Sequence, residues 1–371
     1  MYETAIRLLE KISSYGYTAY MVGGYPRDLY LKRTFTDIDI CTDATPMELH
    51  QIFSEVVTTN SEYGSVTIVF EKTKFEITTF RKEFKYKDHR RPEKIEYVDT
   101  LEEDIKRRDF TINTLCIDKD GNQIDLIGAK QDLDNKIIRT VSNPKVSLKD
   151  DALRILRAIR FATTLNFTIE PKLKNYIRKY GHLLRKISKD RKKDELDLIF
   201  SSPNKAYGIE LLIELKLTDY LEIPNLKKAK ITPSMIVTWS QLDALDKYNF
   251  NAIEKESIRK INEVKDKDLL DNHVLYNYGL YICTMAAELS GTEKQQINEK
   301  YAKIPIKSRL DIAISPIEIC KLLNKEAGAF LKPILSDLEN EILDGKLNNS
   351  KEDLTDYILN KYKEEETIKN S

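Results

Sequence analysis

Residues 21–40 read Met-Val-Gly-Gly-Tyr-Pro-Arg-Asp-Leu-Tyr-Leu-Lys-Arg-Thr-Phe-Thr-Asp-Ile-Asp-Ile, and this stretch constrains the chain more than any other. In an extended strand, side chains two apart share a face. Asp37 and Asp39 therefore project together, while Ile38 and Ile40 turn toward a core. Two neighbouring carboxylates repel unless a cation lies between them, and Mg²⁺ suits one or two carboxylates completed by water and phosphate oxygens. Gly23 and Gly24 let the backbone come close to a ligand, and Arg27 carries the planar donor fork that matches phosphate. A D-x-D triplet alone reads more readily as a solvated strand edge. The G-G-x-x-R-D ahead of it turns the reading toward a site for nucleotidyl transfer.

The rest of the first 140 residues mixes strands and helices. Tyr2 to Tyr15 has apolar residues at helical spacing, and Gly16 suits the helix stop. Strand-like runs follow at Ala19–Val22, Asp37–Cys41, Val66–Phe70 and Phe75–Thr79. Thr45-Pro46-Met47-Glu48 reads as a helix start with proline in the first turn. Beyond about residue 147 the pattern becomes helix after helix with almost no glycine. Ser147 to Leu165 reads as one strong helix, and Ser188 reads as the cap of another. The fold class is therefore α+β, a small mixed domain followed by an all-α remainder.

Composition excludes several classes. No apolar run approaches the ~18 residues that span a bilayer. Met1 to Tyr17 mixes acids and bases unlike a signal peptide or lipidation site. Cys41, Cys116, Cys283 and Cys320 are far apart and read as reduced, mostly buried thiols of a cytoplasmic protein. Zinc is unfavoured because the four histidines are equally scattered. Net charge is zero, with 60 basic and 60 acidic residues, yet the bases cluster at Arg81–Lys94 and Lys172–Lys193. Either stretch could supply a positive field for phosphate or be a solvated helix face.

Two further groups carry chemistry. In Glu102 to Asn113, Arg107 and Arg108 can face a triphosphate, and Asp109 can accept from a ribose hydroxyl. Glu76 is open between a third acidic group and a solvated strand residue. Asp151, Arg154, Arg157 and Arg160 recur every three residues along one helical stripe. An acceptor (Asp151) beside a donor (Arg154) matches the amine and ring nitrogen of cytosine and adenine. It leaves partners unpaired with uracil or guanine, at about 1–3 kcal/mol per group.

With these residues quoted, the chain resembles the bacterial CCA-adding enzymes, the second class of tRNA nucleotidyltransferases within the polymerase-β-like superfamily. The matching stretches are Gly23 to Asp28, Asp37-Ile38-Asp39, Arg107 to Asn113, Asp151 to Arg154 with Arg157 and Arg160, and Asp190-Arg191 through Glu195. The resemblance implies a polymerase-β-like mixed nucleotidyltransferase head (residues 1–138), then an all-α neck that reads the base (139–203), body (204–305) and tRNA-binding tail (306–371). It implies Mg²⁺ on the catalytic residues Asp37 and Asp39, and a nucleotide pocket of Gly24, Arg27, Arg108, Asp109, Asp151, Arg154, Arg157 and Arg160. The implied reaction is template-independent addition of C, C and A to the 3′ end of tRNA from CTP and ATP. The tRNA 3′-hydroxyl attacks the α-phosphate in line and pyrophosphate leaves. The implied setting is cytoplasmic, without a membrane, and compatible with a homodimer.

The chain departs from the family at Asp150-Asp151, where Glu-Asp is usual, and at Leu126-Ile127-Gly128-Ala129, where Pro-Phe-Gly-Gly is usual. Rival readings are CC-adding, A-adding and poly(A)-adding enzymes, and a non-catalytic RNA-binding protein on the same scaffold. Thr79 to Pro92 resembles the flexible loop that accompanies the switch from C to A addition. Together with the acid-rich stretch from Asp337 to Glu366, it favours full CCA synthesis.

Overall fold

The computed structural model describes residues 1–35, 37–60, 63–87 and 91–363. The chain divides into two compact units, Met1–Lys228 with Asp246–Asn249, and Ala229–Leu245 with Phe250–Ser371.

The first unit opens with α1 (Tyr2–Ser14), β1 (Ala19–Val22), α2 (Gly24–Tyr30), β2 (Asp39–Thr42) and α3 (Pro46–Ile52). Strands β3 (Val56–Asn60), β4 (Ser65–Phe70), β5 (Thr73–Thr79), β6 (Arg81–Lys87) and β7 (Arg91–Tyr97) follow, then α4 (Leu101–Ile105), β8 (Cys116–Ile117) and β9 (Gln123–Ile124). Seven strands form one mixed sheet in the order β3-β4-β5-β2-β1-β8-β9, with only β2 and β5 parallel. Because successive strand residues face opposite ways, Ile40 enters one core while Cys41 enters the other. The first core packs Ala5, Leu8, Leu9 and Ile12 of α1 onto Met21, Ile40, Ile68 and Ile77. The second gathers Val22, Cys41, Phe80, Leu101, Ile105 and Cys116. Helix α3 starts as expected, with Pro46 in its first turn and a capping box between Thr45 and Glu48.

Strand β2 begins at Asp39 and leaves Asp37 ahead of the ladder. The expected alternation still holds, since Ile38 and Ile40 are buried while Asp37 and Asp39 are exposed. Strand β3 went unread in the sequence. The segment read as a flexible loop holds β6 and the first two residues of β7, which pair as a hairpin, and its residues 88–90 lie outside the described ones. Among the described residues no helix is long and apolar enough to cross a membrane. None of the four cysteines is paired, and three of them are buried.

Helices α5 (Ala129–Asp134), α6 (Pro144–Asp150), α7 (Leu153–Leu165), α8 (Pro171–Tyr180), α9 (Lys189–Ser201) and α10 (Lys205–Glu214) complete the first unit. Within this region the two-residue strands β10 (Ile137–Ile138) and β11 (Thr168–Ile169) pair in parallel, so the remainder is not purely helical. The helix expected over Ser147–Leu165 is two helices. Asp151 takes an extended conformation at the break, and its Oδ1 accepts from the Leu153 backbone N–H at 3.0 Å. A short acidic side chain bonding its own backbone competes with helix continuation, which is why the chain turns here. Ser188 precedes α9 but makes no side-chain capping bond.

The second unit is helical: α11 (Met235–Ser240), α12 (Ala252–Val264), α13 (Asn272–Ser290), α14 (Lys294–Lys303), α15 (Pro316–Leu323), α16 (Leu331–Leu343) and α17 (Lys351–Ile358). It holds two cores, one gathering Val237 to Ile304 and the other Ile306 to Ile358.

Helix α10 reaches the base of α7 and α9 through Gly208. A Cβ there would stand 2.4 Å from Thr163 Oγ1 and 2.7 Å from Ile199 Cγ2. Gly208→Val is therefore expected to destabilise the protein by about 2–3 kcal/mol through overpacking, read as a lower denaturant midpoint.

Candidate active site

The glycine pair is where strand β1 turns into α2. Gly23 has φ 77°, a backbone state that disfavours any residue with a side chain. A Cβ on Gly23 would lie 3.4 Å from Asp39 Oδ2, so the turn passes close to the Asp39 carboxyl. Asp39 is opposite Val22 on one side and Glu76 on the other.

Beneath this turn opens a cavity of about 650 Å³, contained within the first unit. Its walls include Gly23, Gly24, Arg27, Asp37, Asp39, Arg108, Asp109, Asp151, Arg154, Arg157 and Arg160. Every site residue expected from the sequence is thus on one surface. Asp150 ends α6 and is not on that wall. Glu76 is not on it either, although its charge reaches Asp39.

The Asp39 carboxyl stays open to the water of the cavity, yet its pKa is pushed up to about 6. Burial among the surrounding walls is the main cause, followed by the charges of Glu76 and Asp37, with Arg108 opposing. A carboxylate crowded by like charge is relieved by a divalent cation, and hard oxygen donors suit Mg²⁺. Among the described residues no group of three His, Cys, Asp or Glu forms a metal cage.

Facing the acid pair are arginines held by internal carboxylates. Asp104, fully buried on α4, accepts from Arg107 Nε at 2.8 Å and from Arg108 Nη2 at 2.7 Å. Burial alone would raise its pKa, but Arg108 and then Arg107 hold it below the usual carboxylate range. Arg107 also reaches Glu83 of β6 at 3.4 Å.

A second network runs across the cavity wall. Arg27 donates to Asn113 Oδ1 at 2.7 Å, and Asn113 Nδ2 donates to Asp109 Oδ1 at 3.0 Å. Asp109 Oδ2 accepts from Arg157 Nε and Nη2 at 2.8 and 2.5 Å. Glu195 of α9 takes Arg160 at 2.5 Å and lies 3.8 Å from Arg157. The ring of Phe161 lies beneath the guanidinium groups of Arg27, Arg157 and Arg160, the last 3.9 Å from its centroid. Burial would raise the Asp109 pKa, but Arg157, the Asn113 bond and Arg154 hold it far below the usual range.

Two expectations change in detail. The stripe was expected to start at Asp151, but that residue caps α7 from outside its first turn, and only the three arginines lie on the helix. Asp109 lines the cavity, but its two oxygens already accept four hydrogen bonds, counting the Phe110 N–H. Asp104, Glu83, Asn113, Phe161 and Glu195 were not expected as site residues. The short-range signal for Asp104 was its placement three and four residues before Arg107 and Arg108.

A family model for the Poly A polymerase head domain matches residues 19–139. The model for the RNA- and SrmB-binding site of polymerase A matches 166–230, and one for tRNA nucleotidyltransferase domain 2 matches 243–358. The CCA-adding enzyme of Ligilactobacillus salivarius is 35% identical over 95% of this chain and 94% of its own length. That of Bacillus subtilis is 32% identical, covering 95% and 97%. The chain belongs to the CCA-adding enzymes. The crystal structure of the Bacillus stearothermophilus CCA-adding enzyme in complex with CTP superposes with a TM-score of 0.86 at 27% identity, covering 99% of this chain and 98% of that one. As a CCA-adding enzyme this protein is a nucleotidyltransferase, an activity that depends generally on a divalent metal.

The depressed pKa of Asp109 sets a pH dependence. A folded-state value below the ordinary 3.8 gives stabilisation that is complete above pH ~4 and is lost as pH falls below it. Asp109→Asn is expected to cost on the order of 3 kcal/mol at pH 7 by leaving Arg157 without its buried partner. In denaturation experiments the difference from wild type should stay constant from neutral pH down to mildly acidic pH, then shrink on further acidification.

Proposed function

We propose that this cavity adds C, C and A to the 3′ end of tRNA from CTP and ATP, choosing each base by protein side chains alone. The observation that carries this is the meeting, in one cavity, of the Asp37–Asp39 pair with Asp151 and Arg154. Asp37 and Asp39 would hold Mg²⁺, which would supply Lewis-acid stabilisation for the 3′-hydroxyl and the phosphates. Gly24 and the Gly23 turn keep the acid wall clear for the nucleotide. Arg107 and Arg108, fixed by Asp104, present positive charge to the triphosphate.

Arg154 is 8% exposed, and it donates to Ser147 Oγ and to the Arg107 carbonyl, both at 2.8 Å. Two of its five N–H donors are thus spent on holding it still. Held in this way it acts as a rigid edge beside Asp151, and that edge matches cytosine and adenine. Arg157 and Arg160 complete the wall. Asp109 serves as the anchor of that wall, since a ribose hydroxyl would meet a carboxylate already saturated with donors.

The division into head (1–138), neck (139–203), body (204–305) and tail (306–371) is supported at its last boundary by the two separate cores of the second unit. In the neck, Lys172, Lys179, Arg185 and Lys186 are exposed and offer positive charge to tRNA phosphates. Lys174 and Arg178 are committed to Glu214. A tRNA substrate sets the enzyme in the cytoplasm.

Incubating the protein with tRNA lacking its 3′ end, Mg²⁺, CTP and ATP should lengthen the product by C, C and A. Asp37→Ala and Asp39→Ala should each abolish incorporation while tRNA still binds in a filter assay. Incorporation by either variant near the wild-type rate would refute the metal assignment, and A-tracts from ATP alone would favour a poly(A) polymerase.

A further inference from the structure

Seven guanidinium groups line the cavity. Six of them belong to the networks described above, and each of those has a carboxylate within 4.0 Å. Arg191, on the first turn of α9, is exposed and has no hydrogen-bond or ion-pair partner among the described residues. Its charge is therefore the one that the protein does not neutralise internally.

Its position follows from the packing of two helices. Glu195 meets Arg157 and Arg160, and Thr163 and Ile199 both flank Gly208, so α7 and α9 run in the same direction. One turn is about 3.6 residues, so Arg191 is level with the first turn of α7, beside the base-reading Asp151 and Arg154. The base is neutral. The triphosphate charge belongs with the acid pair and with Arg107 and Arg108 on the head side. The other anion that must enter during the reaction is the backbone of the RNA end being extended. Exposed Arg185, Lys186 and Lys189 precede Arg191 in the chain, with the exposed Asp190 beside it.

We infer that Arg191 is a positioning residue that binds a phosphodiester of the tRNA 3′ end and sets it against the nucleotide in the cavity. This rests on the proposed reaction, but it is read separately by equilibrium binding of tRNA without nucleotide. A charge-assisted hydrogen bond to phosphate is strong, so Arg191→Ala should raise both Kd and KM for tRNA by about 10- to 100-fold. The plot of log affinity against log salt should become shallower by about 0.7, the value for one single-strand phosphate contact. Arg191→Lys should retain the wild-type slope. Because Arg191 is exposed and its charge is assigned here to the RNA backbone, the KM values for CTP and ATP, and the melting temperature, should stay at wild-type values.

Unchanged tRNA affinity and salt slope in Arg191→Ala would overturn the inference. So would a loss that appears in the nucleotide KM, which would assign Arg191 to the triphosphate, or a fall in melting temperature, which would make it structural. A wild-type protein that binds tRNA but adds no C, C and A would sink the reaction and leave the binding comparison standing.

Discussion

The site depends on the ion pair between Asp109 and Arg157. It joins residues 48 positions apart and ties the segment between α4 and β8 to helix α7. Through Asn113 it reaches Arg27 beside the glycine turn, and Glu195, close to Arg157, reaches Arg160. A cavity with this many arginines would repel itself apart if each carried its charge alone. Distributed among Asp28, Asp104, Asp109, Asp151 and Glu195, the charges hold one another in place. Buried pairs of this kind gain little net stability over apolar packing, and removing one partner is costly. What they provide here is fixed geometry.

Fixed geometry is what selection without a nucleic-acid template requires. A flexible arginine could turn to suit any base edge. Arg154 is held by Ser147 and by the Arg107 carbonyl, so a base with the wrong donor–acceptor order leaves groups unpaired in a confined space. The break between α6 and α7 serves the same end. By capping α7, Asp151 is fixed against the backbone as well as against its neighbour Arg154.

Much of this was legible in the sequence because it is local. The Gly23-Gly24 turn, the alternation from Asp37 to Ile40, the proline-led start of α3 and the spacing of Arg154, Arg157 and Arg160 all act within a few residues. The carboxylates that hold the arginines were legible only in part. Asp104 stands one turn from its partners, whereas Glu195 lies 35 residues from Arg160, and nothing local marks that pairing. The helix break at Asp151 was hidden because the apolar period runs through it unbroken. Strand β3 was missed because Val56-Val57-Thr58-Thr59-Asn60 lacks a clear alternation, and its pairing with β4 is itself irregular between Val56 and Thr58.

If the cavity wall is preset by internal ion pairs, base preference belongs to the protein before any RNA arrives. The most direct test is equilibrium binding of CTP, ATP, UTP and GTP to the RNA-free protein, with Arg154→Ala beside it. CTP and ATP should bind at least ~10-fold more tightly than UTP and GTP, and that gap should close in Arg154→Ala. Equal affinity of the wild type for all four nucleotides would contradict the account.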